Sequence, residues 1–306
     1  MEYDYKFTVF TSCYNSVKFL DRLYQSLEKQ TYKNFEWLII DDYSTDQTKE
    51  LISSIKKKAS FDINAFFNDS NKMISYCCNS AVKKAKGEFF LFLDHDDEIV
   101  PKALETFSNN WDGISEENKV NLAGMMSNCE DQFGNYVTDE LPDSLITDYY
   151  DLYYNKGIKG EKFFCYKTDI LLKNNFSTVD RYVPENVILL NISDNYQTYF
   201  FNENLRIYHI KQDDHQSLND KLEGEWKMQF PLGMRHAKLE DINRRYRKLV
   251  KKPILFFKTL VNFSRFSYHA DLSMLNSLKD INKFHLKIFV ALLFPIGILI
   301  AWREKL

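Results

Sequence analysis

Strands alternating with helices constrain this chain more than any other feature. Lys6 to Thr11 (KFTVFT), Phe35 to Asp42 (FEWLIIDD) and the EFFLFL run ending at Leu93 are short, β-rich segments, and a further strand is expected at Ile63 to Phe67. Between them lie helical periodicities: Phe19, Leu20, Leu23, Tyr24 and Leu27; then Leu51, Ile52 and Ile55; then Ile74, Cys77, Cys78, Ala81, Val82 and Ala85. Asn15 and Ser16 are expected to cap the first helix, and STDQ (Ser44 to Gln47) has the spacing of a capping box for the second. Gly87 is expected to stop the third, and Pro101 to open the next. Such alternation implies an α/β fold with a mostly parallel sheet covered by helices on both faces.

Sheets of this kind bind ligands at the carboxyl ends of their strands. Thr11, Asp41, Asp42 and the run Asp94-His95-Asp96-Asp97 all fall there. Three aspartates within four residues repel one another unless a positive group lies among them. One reading is a divalent cation site, because hard oxygen ligands suit Mg2+ or Mn2+, whose coordination is completed by substrate phosphates. The other is a solvated turn in which Asp97 caps the following helix. Asp41, one residue before Asp42, is expected to point to the opposite side of the strand and to receive backbone N–H groups of the next turn.

Two segments, FTSCYNSVKFLDRLYQSLEKQTYKNFEWLIIDDYSTDQT and NSAVKKAKGEFFLFLDHDDEIVP, together resemble the family 2 glycosyltransferases of GT-A fold over about residues 6 to 110. The resemblance implies an inverting transferase that uses a nucleotide sugar, with UDP expected, and a bound Mn2+ or Mg2+. It makes Asp96 the principal metal ligand and sets Asp94 beside the ribose or metal. Thr11 and Asp42 would contact the base. The family's usual Arg falls on Cys78, which cannot hold a nucleotide, and Lys72 is the nearest replacement. Tyr43 stands where the family has Gly, so the loop is expected to avoid positive φ. RYVPENVILLNI resembles the segment carrying the general base, implying Glu185 in that role with Asp180 in reserve, although Asn186 replaces an expected Asp. His215, in LRIYHIKQDDHQS, matches a His that approaches the diphosphate or metal; His209 is assigned instead to the strand, and His95 is not expected to be a ligand.

The catalytic domain is expected over 1–225, with a donor half to 110 and an acceptor half beyond. In that second half, tyrosine-rich DYYDLYYNKGIKGEKFFCY and NYQTYFFNENLRIYHI suggest further strands, and VPENVILLNI a helix opened by Pro184. A helical extension is expected over 226–306. The charge is uneven: residues 231 to 306 hold 15 Lys/Arg against 5 Asp/Glu, and the rest 25 against 38. Ile288 to Trp302 is a 15-residue apolar run containing Pro295 and Gly297, flanked by basic residues. At roughly 22 Å it is too short to cross a bilayer and reads as an anchor on an anionic membrane surface. Burial in a homodimer is the competing reading. Five cysteines with no CxxC pair and no basic-then-apolar N-terminus fit a cytoplasmic protein; the anchor sets it on the inner face of the cell membrane, and with the family resemblance implies a saccharide or lipid-linked saccharide acceptor. No GxGxxG follows the first strand, which argues against a dinucleotide oxidoreductase. Nucleic-acid binding is not expected. The non-enzymatic alternative is a degenerate transferase acting as a membrane-bound assembly subunit.

Overall fold

A computed structural model describes residues 2–210 and 229–304. These fall into two compact units, one from the described residues of Met1–Phe176 and Ile188–Asp213, the other from those of Ser177–Val187 and Asp214–Leu306. The expected boundary at 225 lies outside the described residues. Ser177–Val187, assigned by sequence to the catalytic domain, clusters with the second unit.

The first unit is a mixed sheet flanked by helices. Its elements run β1 (Tyr5–Cys13), α1 (Leu20–Glu28), β2 (Phe35–Asp41), α2 (Thr48–Lys58), β3 (Asp62–Phe67), α3 (Ile74–Lys84), β4 (Gly87–Phe92), β5 (Glu98–Ile99), α4 (Ala103–Gly113), α5 (Glu116–Lys119), β6 (Leu122–Asp131), β7 (Leu145–Thr147), β8 (Phe163–Lys167), α6 (Thr168–Lys173), α7 (Asn186–Ile192) and β9 (Gln197–Tyr208). The strand order is β3-β2-β1-β4-β8-β6-β9-β5, with β7 also on β9. β1 to β4 are mutually parallel, β8 is antiparallel to both neighbours, and β9 runs parallel to β6. The carboxyl ends of β1, β2, β4, β6 and β9 therefore share one edge.

Alternate residues of β1 feed two cores. Phe7, Val9 and Cys13 pack with Leu20, Leu23, Leu27 and Phe107; Phe10 packs with Cys77, Cys78, Ala81 and Val82 of α3. Every residue of β2 is buried, Glu36 included. Its carboxylate accepts hydrogen bonds from the Thr8 hydroxyl at 2.6 Å, the Lys86 N–H at 2.7 Å and Asn64 Nδ2 at 2.7 Å, so the buried charge is satisfied.

Several local expectations are revised. Gly87 does not stop α3, which ends at Lys84; it opens β4, where its N–H donates to Thr8 Oγ1 at 2.9 Å and its carbonyl accepts from Thr168 Oγ1 at 2.6 Å. Pro101 does not begin α4 but precedes it, and its carbonyl accepts from Thr31 N at 2.9 Å. Ser44 does not cap α2, whose N-cap position is Gln47 with no side-chain cap; Asp46, just ahead of it, accepts the Thr48 N–H at 3.0 Å, and Ser44 Oγ accepts from Asn15 N. The α1 N-cap position is Phe19, with no side-chain cap. DYYDLYYNKGIKGEKFFCY holds the expected strand only at its end, in β8; the tyrosines ahead of it lead into a π-helical turn, Asp151–Lys156, with Tyr149 stacked on Tyr153 and Tyr150 tilted against Tyr154. VPENVILLNI is helical from Asn186, immediately after Glu185, which lies in a turn.

Among its described residues beyond the short Ser177–Val187 segment, the second unit is mainly helical: α8 (Pro231–Arg244), α9 (Tyr246–Leu249), α10 (Pro253–His269), α11 (Met274–Lys279) and α12 (Phe284–Glu304). α12 runs through Pro295 without interruption for 21 residues, about 31 Å at 1.5 Å per residue. The apolar run is thus part of a helix long and apolar enough to cross a membrane, and the length argument against crossing does not hold. Leu286, Val290 and Phe294 pack with Leu260 and Phe263 of α10. Gly297 permits the close approach: a Cβ there would stand 2.6 Å from Ser264 Cβ and 2.7 Å from Arg265 N.

A Cβ on Gly87 would meet Thr8 N at 2.3 Å, an obstacle of backbone. Gly87→Ala is therefore expected to destabilise the sheet unit by about 3 kcal/mol, the upper end for overpacking, read as a lowered denaturation midpoint at unchanged m-value.

Candidate functional site

The loops after β1 and β2 are laced together. Asn15 N donates to Ser44 Oγ at 2.9 Å, Thr45 N donates back to Asn15 Oδ1 at 2.9 Å, and Ser16 N donates to Thr48 Oγ1 at 2.8 Å. Asp41, fully buried, accepts the Ser44 N–H at 3.1 Å as expected. Tyr43 follows with φ of 70°, against the expectation that a non-glycine residue would keep the loop out of this region. The hydrogen bonds on both sides dictate the turn, and Tyr43 bears the strain with its ring exposed and Lys49 Nζ 5.6 Å from the ring centroid.

Asp42 is nearly as buried. Its carboxylate accepts from Asn68 Nδ2 at 2.7 Å, Lys72 N at 2.9 Å and Met73 N at 2.7 Å, so it holds the β3–α3 loop by its backbone. Lys72 lies on that loop with its ammonium 2.8 Å from Asp69, a hydrogen bond that raises its pKa. Cys78, where the family has Arg, is packed in the core beneath α3. Thr11 departs from its expected role: it is fully buried and its hydroxyl accepts from Trp37 Nε1 at 3.0 Å, on the core side of β1. The strand alternates, so Ser12 takes the opposite face, beside Cys77.

Asp94 to Asp97 form a tight turn after β4, with Asp97 N donating to Asp94 O at 3.3 Å. The chain then enters β5, whose pairing with β9 sets Ile99 opposite Arg206 and Glu98 opposite Ile207. That pairing delivers a residue the motif reading missed. Arg206 is 5% exposed, and its Nε donates to Asp97 Oδ2 at 2.6 Å while its terminal nitrogen donates to Asp94 Oδ2 at 2.5 Å. Burial opposes its charge, but Asp97 and Asp94 hold it protonated, well above even the usual arginine value. Its signal in the sequence is a lone cation inside an otherwise apolar strand segment, Leu205-Arg206-Ile207.

Asp97 does not cap a helix. It is 2% exposed, accepts the His209 N–H at 3.0 Å on Oδ1, and is pushed up to about 7 by burial, with Arg206 pulling the other way. His209 lies just beyond β9 and its Nε2 is 2.8 Å from Glu98 Oε1. Arg22 of α1, also absent from the motif reading, donates to the Asp96 carbonyl and stands 3.7 Å from Glu98. His95 packs against Phe19, ring centroids 6.1 Å apart.

Asp94, by contrast, is 59% exposed in its side chain, and Asp96 is half-buried. No group of three or more His, Cys, Asp or Glu able to hold a metal occurs among the described residues. Mg2+ and Mn2+ do not need one, since one or two carboxylates plus phosphate oxygens suffice. The donor chemistry of Asp94 and Asp96 fits such an ion. His215, expected as a further ligand, lies outside the described residues. Glu185 is exposed, ahead of α7, within the second unit. Asp180 has a structural task in the same unit, accepting the Gly233 N–H at 3.0 Å.

Comparison with known proteins agrees with this architecture. Poly(ribitol-phosphate) β-N-acetylglucosaminyltransferase TarS of Staphylococcus aureus is 36% identical over 102 residues, 33% of this chain and 18% of that protein. A teichoic acid poly(glycerol phosphate) polymerase of Staphylococcus epidermidis is 32% identical over 113 residues, 36% of this chain and 16% of that one. The matched stretch thus spans under a fifth of these relatives' length. Among solved structures, TarS 1–349 superposes with a TM-score of 0.63 at 18% identity, covering 98% of this chain and 92% of that one; the mannosyltransferase PcManGT of Pyrobaculum calidifontis, with GDP-Man and Mn2+, gives 0.54 at 14%, covering 98% and 81%. These likenesses establish the GT-A fold. The sequence profile described as glycosyl transferase family 2 matches residues 8–173, more than half of the chain, and the chain belongs to that family.

Proposed function

We propose that this protein is a metal-dependent, inverting glycosyltransferase that moves a sugar from a UDP-sugar to a hydroxyl of a surface glycan or lipid-linked saccharide. The observation that carries the reading is the turn after β4, where Arg206 and Asp97 are buried together while Asp94 and Asp96 stay accessible at the sheet's ligand-binding edge. A TarS structure contains UDP-GlcNAc, and PcManGT contains Mn2+ with its GDP-sugar, which supports the donor and ion classes.

In this reading Asp96 and Asp94 both hold the cation, Asp94 lying also beside the ribose, and Ser12 replaces Thr11 beside the base. Asp42 and Lys72 shape the loop over it, Asp42 by gripping the loop backbone and Lys72 by bringing positive charge toward the diphosphate. A bound divalent ion would offset the charge on the departing nucleoside diphosphate. Glu185 takes the proton from the acceptor hydroxyl as that oxygen attacks the anomeric carbon and the bond to the β-phosphate oxygen breaks. Calorimetry with UDP is expected to show binding that requires Mn2+ and is lost in Asp96→Ala. Absence of binding with every ion tried would favour the non-catalytic assembly subunit. Glu185→Gln is expected to keep UDP affinity within about twofold while transfer falls at least ~100-fold, within the range of general base catalysis; retained turnover moves the base elsewhere.

The second unit attaches the protein to an anionic membrane surface from the cytoplasmic side. One side of α12 packs on α10, and the other exposes Ile288, Leu292, Ile296, Leu299 and Trp302, with Lys283, Lys287 and Arg303 near its ends. Because removing α12 would delete core residues Leu286, Val290 and Phe294, the test is substitution on the exposed side. Leu292→Gln with Leu299→Gln and Trp302→Gln is expected to abolish co-flotation with phosphatidylglycerol vesicles while the melting temperature is kept. Loss of dimerisation in place of flotation would identify the apolar side as a contact between two copies.

A further inference from the structure

Three aspartates crowd the turn after β4, and the hydrogen bonds divide them by task. Asp97 is spent: Oδ2 receives Arg206 Nε and Oδ1 receives the His209 N–H. Asp94 is shared: Oδ2 receives the terminal nitrogen of Arg206 at 2.5 Å, while Oδ1 carries no partner among the described residues and the side chain remains 59% exposed. Arg206 is itself immobilised, buried in β9 beside the β5 pairing, with its guanidinium 5.5 Å from the Tyr208 ring centroid. A planar guanidinium can bridge two carboxylates from fixed directions; the point charge of lysine cannot.

We propose that Arg206 is a positioning residue that, by occupying Oδ2 of Asp94, restricts that carboxylate to one-oxygen ligation and so selects Mg2+ or Mn2+ over Ca2+. The inference rests on the reading of Asp94 and Asp96 as the cation's protein ligands. Mg2+ and Mn2+ are satisfied by single oxygens in an octahedral shell, whereas Ca2+ takes six to eight oxygens and readily uses both of one carboxylate. With Oδ2 already committed to a guanidinium, the larger ion loses a ligand it would otherwise use. The same bond removes the freedom of Asp94 to rotate, so less is lost when the smaller ion binds.

The test is equilibrium binding in the presence of UDP, read for Mn2+ from the electron paramagnetic resonance signal of the free ion and for Ca2+ by competition. Wild-type protein is expected to prefer Mn2+ at least tenfold. Arg206→Lys is expected to weaken Mn2+ binding about tenfold, as outer-sphere substitutions do, and to bring the Mn2+/Ca2+ ratio close to one. An unchanged ratio in folded Arg206→Lys protein overturns the proposal. If that variant does not fold, the wild-type ratio decides, and equal affinity for the two ions overturns it. Asp96→Ala separates the two levels of argument. If Mn2+ binding with UDP is indifferent to Asp96, the metal reading itself fails; if it depends on Asp96 but the ratio ignores Arg206, only this inference does.

Discussion

One buried guanidinium reconciles the chemistry of this site with its fold. A turn carrying Asp94, Asp96, Asp97 and then Glu98 concentrates negative charge at the end of a buried strand, where desolvation makes each ionised group costly. Arg206 answers that cost from within the sheet, and the β5–β9 pairing makes it available. Arg22 and His209 secure the rest of the turn, one through the Asp96 carbonyl and the other through Asp97 and Glu98. What remains accessible is Asp94 and Asp96.

The same economy governs the neighbouring loops. Asp41 and Asp42 look alike in sequence, yet each binds the backbone of a different turn, one after β2 and one before α3. Asn15, Ser44, Asp46 and Thr48 tie the first two β–α loops into a single layer. Tyr43 occupies a left-handed conformation because the hydrogen bonds around it leave no other path, a local strain held in place by its surroundings. The carboxyl-end edge of the sheet is therefore built mainly of satisfied polar groups whose positions are set by backbone contacts.

The helical unit follows a different logic. Its core forms from the facing stripes of α10 and α12, including Phe263, Leu286, Val290 and Phe294, and Gly297 lets the two backbones approach. Buried Arg235 and Arg245 pair with Asp280 and Asp241, so these two basic residues are internal and structural. The apolar side of α12 that remains exposed is what distinguishes this unit from an ordinary helical packing module.

Periodicity determined the α/β class, the succession of four strands and three helices through Leu93, and the position of the acidic turn at a strand's carboxyl end, because those features depend on neighbours within a few residues. The pattern of motifs likewise carried the family. The strand role of Gly87, tied to Thr8 and Thr168, and the inward turn of Thr11 toward Trp37 were decided by partners far along the chain. Most of all, the division of labour among Asp94, Asp96 and Asp97 belongs to tertiary structure: Arg206 is 109 residues from Asp97 in sequence, and only sheet pairing brings a charge that distant into contact.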